Sequence, residues 1–481
     1  MSTEVETAES ATTENPSAAS VAPAPSPSRS PLWRRRRYQL AAGITVVAIL
    51  GAFIANNLIA RQYTPEGAVR QYLNAIQAGD AANAWSEIQV SAPTTPAAFS
   101  LTDRPALQAA FSARKPDIKN FTVTATTNSS PSTAIVDFSY DTAAGSKQEK
   151  FVVQRSGETH FGLFPDWQVV IRPTLLTIAL PKGSNGVSID GRAIALPDGK
   201  STVSVLPLSH RLQFTGTQML TSQTVSLDSF LSLAQGVPYQ PMLNAAGIAQ
   251  AKAAVKAAID TCAKRTQANL DDGTCPQGLS YGSSSSGQWN VIGDPTQDFS
   301  VAFDQDLNAF ASGHFQMVFG FQEQGWTGTR QTPSAGGYKA SLTLATTSVS
   351  VANIQRAEGL PTLVRPAAAT DQAAKDLVSK GLLLCASVSA ENVADCPQAA
   401  PDAIITDVHW SLEGDPLAGA TVNFDADTGL VTVHGNFSMA VSYRWFGNFA
   451  RSGHSYIKAY DAHLFWDGQG LQLVNIDGAV S

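Results

Sequence analysis

Charge is scarce in this chain. Asp, Glu, Lys and Arg make up 15% of its 481 residues, where about a quarter is usual. Positive charge is the scarcer sign, with 32 Lys and Arg against 39 Asp and Glu and a net charge of -7. No basic block lies beyond residues 34–37, which argues against nucleic acid as a partner. Catalytic signatures are missing as well: there is no GxSxG, no HExxH and no phosphate loop. The chain is therefore read as a non-enzyme without a cofactor. General disorder is excluded too, because strand-like runs and aromatics persist from Phe121 to Ile476.

Long apolar runs are also rare, and the one present is informative. Residues 1–37 begin with Ser, Thr, Ala, Pro and Glu and end on Arg34, Arg35, Arg36 and Arg37, a composition that reads as a disordered cytoplasmic tail. The uncharged stretch at residues 38–60 then matches the roughly 20 residues needed to cross a bilayer. The Arg cluster on its N-terminal side predicts a signal-anchor with everything after Arg61 outside. A cleavable signal would need a shorter apolar region and a better small-x-small site. No Cys follows the stretch, so a lipid-anchored lipoprotein is not expected.

Beyond the anchor the pattern is α+β. Thr64, Pro65 and Glu66 open a helix by capping, by a proline that loses no needed donor, and by a carboxylate at the positive end. Val69, Leu73 and Ile76 recur at helical spacing, with Tyr72 beside them, until Gly79-Asp80. A second helix carries Trp85, and a third starts near Thr102 and holds Leu107, Ala110 and Phe111. Four alternating strands follow, from Ile118, Ala134, Glu149 and Trp167. Helices followed by a curved antiparallel sheet make an α+β unit over residues 64–172.

The segment TPEGAVRQYLNAIQAGDAANAWSEI and the closing strand FPDWQVV resemble the nuclear transport factor two-like, cystatin-type cone domains of membrane-anchored bacterial envelope proteins of Gram-positive, actinobacterial type. That resemblance implies a cone with an apolar cavity, which some members use for ligands or catalysis. The Asp/His dyad of the family's enzymes is not recognisable here, where the lone His160 falls in a Gly-rich turn. Tyr72, Phe121, Phe138, Tyr140 and Trp167 face either the core or a small apolar pocket. Residues 173–235 read as a small β module, with hairpin signals at Asp190-Gly191 and Asp198-Gly199. It is similar to the small β modules that follow such cones.

The rest is a duplication, residues 240–360 and 366–481, held at an offset of about 121 residues. Cys262 and Cys275-Pro276-Gln277 recur as Cys385 and Cys396-Pro397-Gln398. Trp289 and Gly293-Asp294-Pro295 recur as Trp410 and Gly414-Asp415-Pro416. Phe303-Asp304 and Asp306 match Phe424-Asp425 and Asp427; Phe315 and Met317 match Phe437 and Met439; Asn353-Ile354 matches Asn475-Ile476. Each copy reads as a helix plus an antiparallel sheet, again cystatin-like, with flexible connectors at residues 282–287 and 365–370.

Four Cys allow three pairings. A repeated unit repeats its internal bond, which selects Cys262–Cys275 and Cys385–Cys396. A metal site is not expected. The Cys pairs lack His at ligand spacing, and His409, His434, His454 and His463 form no HxH or HxxxH pair. His434 aligns near His314. Asp425, Asp427 and Gly429 lack the further oxygens of a calcium loop and read as a turn. The SxxK tetrads at Ser112 and Ser455 lack their companion motifs.

The expected function is a single-pass, extracytoplasmic interaction or scaffold protein of the cell envelope. It is anchored in the lipid bilayer through residues 38–60 and takes an envelope protein or a cell-wall polymer as partner. The alternative is a ligand-binding or sensory ectodomain that uses the cone pocket.

Overall fold

The computed structural model describes residues 61–93, 95–114, 118–142, 145–160, 164–228, 234–269, 273–279 and 286–479. The expected tail and membrane span lie outside them. Among the described residues no helix is long and apolar enough to cross a membrane.

The first unit begins with α1 (Pro65–Ala78), α2 (Ala81–Ser86) and α3 (Arg104–Ala113). Thr64 Oγ1 accepts the Gly67 N–H at 3.1 Å, and Gly79 ends α1 at φ 75°, where a side chain would be strained. The unit's five-stranded sheet, whose first strand precedes α3 in the chain, has the spatial order Ile88–Val90, Phe164–Ile171, Gly145–His160, Thr133–Thr142, Lys119–Ser130. The sheet curves across α1. Val69, Tyr72, Leu73 and Ile76 pack on Val136, Phe138, Phe151 and Val169, all buried. The amphipathic spacing of the helix and the alternation of the strands thus meet in one core.

The β module consists of two four-stranded sheets over a shared core. One is ordered Ala234–Gly236, Thr174–Leu180, Gly199–Val205, Phe99–Leu101; the other Gln223–Asp228, Ser209–Phe214, Val187–Ile189, Arg192–Ile194. Asp190 (φ 53°) and Gly191 (φ 81°) make the expected two-residue hairpin. Asp198-Gly199 does not: the strands on either side of it belong to different sheets, so this turn carries the chain across the sandwich.

The cut at residue 172 is not a seam in the packing either. Phe99–Leu101, from the first unit, pairs in parallel with Val203–Val205, while Leu206 and Leu208 join the first unit's core. A strand of three residues has too little alternation to declare its sheet.

The two copies repeat down to single bonds. Helix α4 (Ala245–Ala263) is capped by Asn244, and α5 (Asp371–Ser387) by Thr370. Gln277 Nε2 donates to Cys262 O at 2.8 Å, and Gln398 Nε2 to Cys385 O at 3.0 Å. Trp289 Nε1 donates to Gln267 O and Trp410 Nε1 to Ala390 O, both at 2.9 Å. Tyr338 donates its hydroxyl to Pro295 O at 2.9 Å and Tyr460 to Pro416 O at 3.0 Å.

The first copy's sheet runs Gly287–Val291, Ala309–Phe321, Arg330–Leu344, Val349–Ala357, with Ser300–Phe303 on the side of Ala309–Phe321. In the second copy the two long strands break, giving Val431–Asn436 and Ser438–Trp445, then Phe449–His454 and Ala459–Trp466. Residues 365–370 are not a loose connector. Arg365 Nε donates to Ala369 O at 2.7 Å, Arg365 pairs with Asp371 at 2.7 Å, and Ala369 is buried. The small alanines let this stretch fold tightly onto the start of α5.

The copies meet face to face. Val318 and Ala335 of the first bury against Phe465 and Val474 of the second. Thr327 N donates to Asn392 O, and Ala394 N to Thr327 O, both at 2.9 Å.

Candidate functional site

Both expected disulfides are present. Cys262–Cys275 and Cys385–Cys396 each hold their Cα atoms 5.6 Å apart. Each bond ties a helix C-terminus to its CPQ turn, where the glutamine caps the helix carbonyl.

The aromatic set of the first unit lies in packed core. Tyr72, Phe138, Tyr140 and Trp167 are buried, and Phe121 is half-buried against the same cluster. Phe138 stacks on Phe151 at 4.6 Å and on Tyr140 at 5.7 Å, while Arg155 covers Trp167 at 5.0 Å. The cavities at the rim of α3, beside His210, along the first copy and between the copies are lined by other residues.

An Asp/His pair that the sequence did not single out does occur in this unit. His160 Nε2 meets Asp166 Oδ1 at 3.1 Å across a hairpin, and Tyr63 stacks on the imidazole at 4.6 Å. Nearby, burial first and then Asp166 push Glu87 up to about 7, against the opposing pull of His160. The pair was invisible because strand register, not sequence spacing, brings the two together.

Two further imidazoles are buried against carboxylates. His210 Nδ1 meets Asp190 Oδ2 at 2.6 Å and its Nε2 meets Leu206 O at 2.7 Å, so both ring nitrogens are used structurally. His314 is different. Its Nδ1 meets Asp298 Oδ2 at 2.5 Å, and the ring stands in the wall of a cleft of about 160 Å³ between the copies, beside Gln316, Leu363, Phe424 and Trp466. Burial works against the Asp298 charge, but the His314 side chain and N–H hold its carboxyl below the ordinary value. With Nδ1 engaged, Nε2 is the ring atom left for a ligand.

His314 is not the counterpart of His434. Gly313 pairs with Tyr338 and Gly435 with Tyr460, so His314 matches Asn436, while His434, two residues before Asn436 on the same outer face, matches Ser312 and is exposed. Three of the other four histidines have separate partners: His434 with Asp461 at 2.8 Å, His454 with Glu413 at 3.1 Å, and His463 with Asn475 at 2.7 Å. Asp425 closes a turn on Asp427 N and Thr428. Of the SxxK serines, Ser112 bonds back to Gln108 O and Ser455 accepts from Ala399 N.

The seam between the copies carries a titratable cluster. Asp395 Oδ1 accepts the Gln331 N–H at 2.8 Å, Asn475 Nδ2 donates to Gln331 O at 2.9 Å, and Arg330 reaches Asp477 at 3.6 Å and Glu323 at 2.8 Å. Burial first, with Asp477 adding to it, raises Asp395 to about 7, although Gln331 N–H and Arg330 pull the other way. Burial likewise raises Asp477.

A folded-state pKa above the unfolded one means that the native chain binds more protons between about pH 4 and 7. Stability should therefore fall as pH rises through that window and level off above it. Thermal melts at pH 5 and pH 8 should show the lower midpoint at pH 8. Asp395→Asn should flatten part of the slope, and an unchanged slope would remove Asp395 as its source.

Sequence reasoning missed an exposed apolar cluster. At one end of the second copy, the hairpin turn between Ser438–Trp445 and Phe449–His454 presents Phe446 (54% exposed) and Phe449 (61%), next to Ile404 (63%). Phe446 N donates to Ile404 O at 3.1 Å, and both residues have positive φ, 48° and 61°. A bulky residue there is an outlier that costs on the order of 1–3 kcal/mol. Trp445 packs edge-on to Phe446 at 4.6 Å under Arg451, whose guanidinium lies 3.9 Å from the indole and pairs with Asp402 at 3.0 Å. The run RWFGNF was the legible signal, an aromatic-rich stretch around a glycine turn.

No family model matches the chain, and no curated protein matches it. Among solved structures, an Ntf2-like protein involved in plasmid conjugation is similar at 8% identity, over 40% of this chain and 78% of that one, with a TM-score of 0.13.

Proposed function

We propose that this chain is a membrane-anchored, non-enzymatic interaction protein of the cell envelope, its first unit an Ntf2-like cone and its anchor residues 38–60. The exposed, strained tip formed by Ile404, Trp445, Phe446 and Phe449 carries this reading. A chain that holds two large apolar side chains out of its own core, at a conformational cost, gains nothing from them until a partner covers them. Covering each contributes about 1.5–3 kcal/mol. The two disulfides are consistent with an oxidising compartment beyond the membrane. The partner is an envelope protein or a wall polymer. The packed first core offers a ligand little, so a ligand-binding role, the second reading, is better served by the cleft at His314.

The test is a photo-crosslinking residue placed at Phe449 in living cells, with one at exposed Leu384 on α5 as control. A discrete crosslinked species from position 449, absent from 384 and lost with Ile404→Ser, is expected. Equal, diffuse labelling at both positions would remove the tip as an interaction surface.

A further inference from the structure

The first copy has an open groove of about 860 Å³ between residues 239–243, α4 and the strand Ser300–Phe303. Met242 (58% exposed) and Ile248 (41%) stand at its rim, and Val301 and Phe303 form its wall. We propose that this groove docks an extended apolar peptide segment of a partner protein, laid along the free edge of Ser300–Phe303.

The duplication shows what belongs there. By the offset of the helices, Gln240 corresponds to Leu363; by the offset of the strands, Gln305 corresponds to Ala426. In the second copy this space is closed by the chain itself. Leu363 N donates to Ala426 O at 2.7 Å, and the Leu363 side chain sits so close to Gly429 that a Cβ there would come within 3.0 Å.

In the first copy the matching stretch is drawn off onto the β module. Tyr239 stacks on Phe214 with centroids 3.8 Å apart, Leu243 bridges to Leu220, and Asn244 N donates to Met219 O at 2.9 Å. The groove is what that displacement leaves behind.

Ser300–Phe303 has a strand partner on one side only among the described residues, the Ala309–Ser312 stretch. An extended peptide can satisfy the backbone groups of such an edge, which a hydrocarbon chain cannot. Charge at the groove is balanced, with one lysine, Lys252, and one aspartate, Asp304, in an otherwise uncharged and mainly apolar lining, and this selects an uncharged apolar segment. The site is separate from the aromatic tip and stands or falls independently of it.

The probe is the peptide of residues 359–364, GLPTLV, with both ends blocked, taken from the stretch that closes the equivalent space in the second copy. It is labelled with a fluorophore and titrated with the full chain in mild detergent. Saturable anisotropy is expected. Binding should weaken at least about tenfold with Ile248→Glu, and N-methylation of the peptide amides should abolish it. The melting temperature of the variant should be unchanged; if Ile248→Glu does not fold, Met242→Glu replaces it. No saturation below roughly 1 mM would overturn the proposal. So would binding indifferent to both changes, or displacement by a dodecyl chain that itself survives Ile248→Asn.

Discussion

Replacing Gly435 with alanine should destabilise the second copy by about 2–3 kcal/mol, the cost of forcing a methyl into a filled site. Gly435 lies directly opposite Tyr460, and a Cβ built on it would come 2.5 Å from the phenolic oxygen and 2.6 Å from Cζ. The ring has nowhere to go. Tyr460 is fully buried and donates its hydroxyl to Pro416 O at 3.0 Å, so retreat from the methyl would break a buried hydrogen bond. Backbone freedom is not the reason for glycine here, since its φ lies outside the left-handed region.

Gly313 and Tyr338 repeat the arrangement in the first copy, with the phenolic oxygen 2.7 Å from the built Cβ. Gly435→Ala combined with Tyr460→Leu should cost less than the sum of the two single changes, because the clash disappears with the ring. Strict additivity in denaturant melts would show that the pair does not interact.

Removing the Cys385–Cys396 bond with paired serines should cost about 3 kcal/mol by the chain-entropy account, and the damage should cross into the first copy. The sequence alone suggests two independent copies. The structure places Asp395 next to Cys396 in the chain, with its carboxylate on Gln331 N of the first copy, and Asn392 and Ala394 bonded to Thr327. Loosening that loop therefore loosens the seam. Hydrogen exchange should accelerate around Thr327 and Gln331 as well as in the second copy. Loss of Cys262–Cys275 should act mainly within the first. Unchanged protection at Gln331 after loss of Cys385–Cys396 would show that the seam holds without the bond.

Much of this molecule is readable from its residues in order. The cap at Thr64, the left-handed stop at Gly79, the Asp190-Gly191 hairpin and both disulfides follow from short spacings or from the duplication. These depend on neighbours in the chain or on one copy echoing the other, so a linear reading reaches them. The Gly313–Tyr338 and Gly435–Tyr460 pairs were within the same reach, since both members recur at the repeat offset.

Tertiary structure alone decided the rest. That His160 faces Asp166 and that Phe99–Leu101 joins the β module both turn on register, where one residue of slip reverses a face. The meeting of Val318 and Ala335 with Phe465 and Val474, and the exposure of Phe446 and Phe449, depend on which outer faces find a partner. Apolar residues on those faces look the same in sequence whether covered or bare, because burial is set by what packs against them.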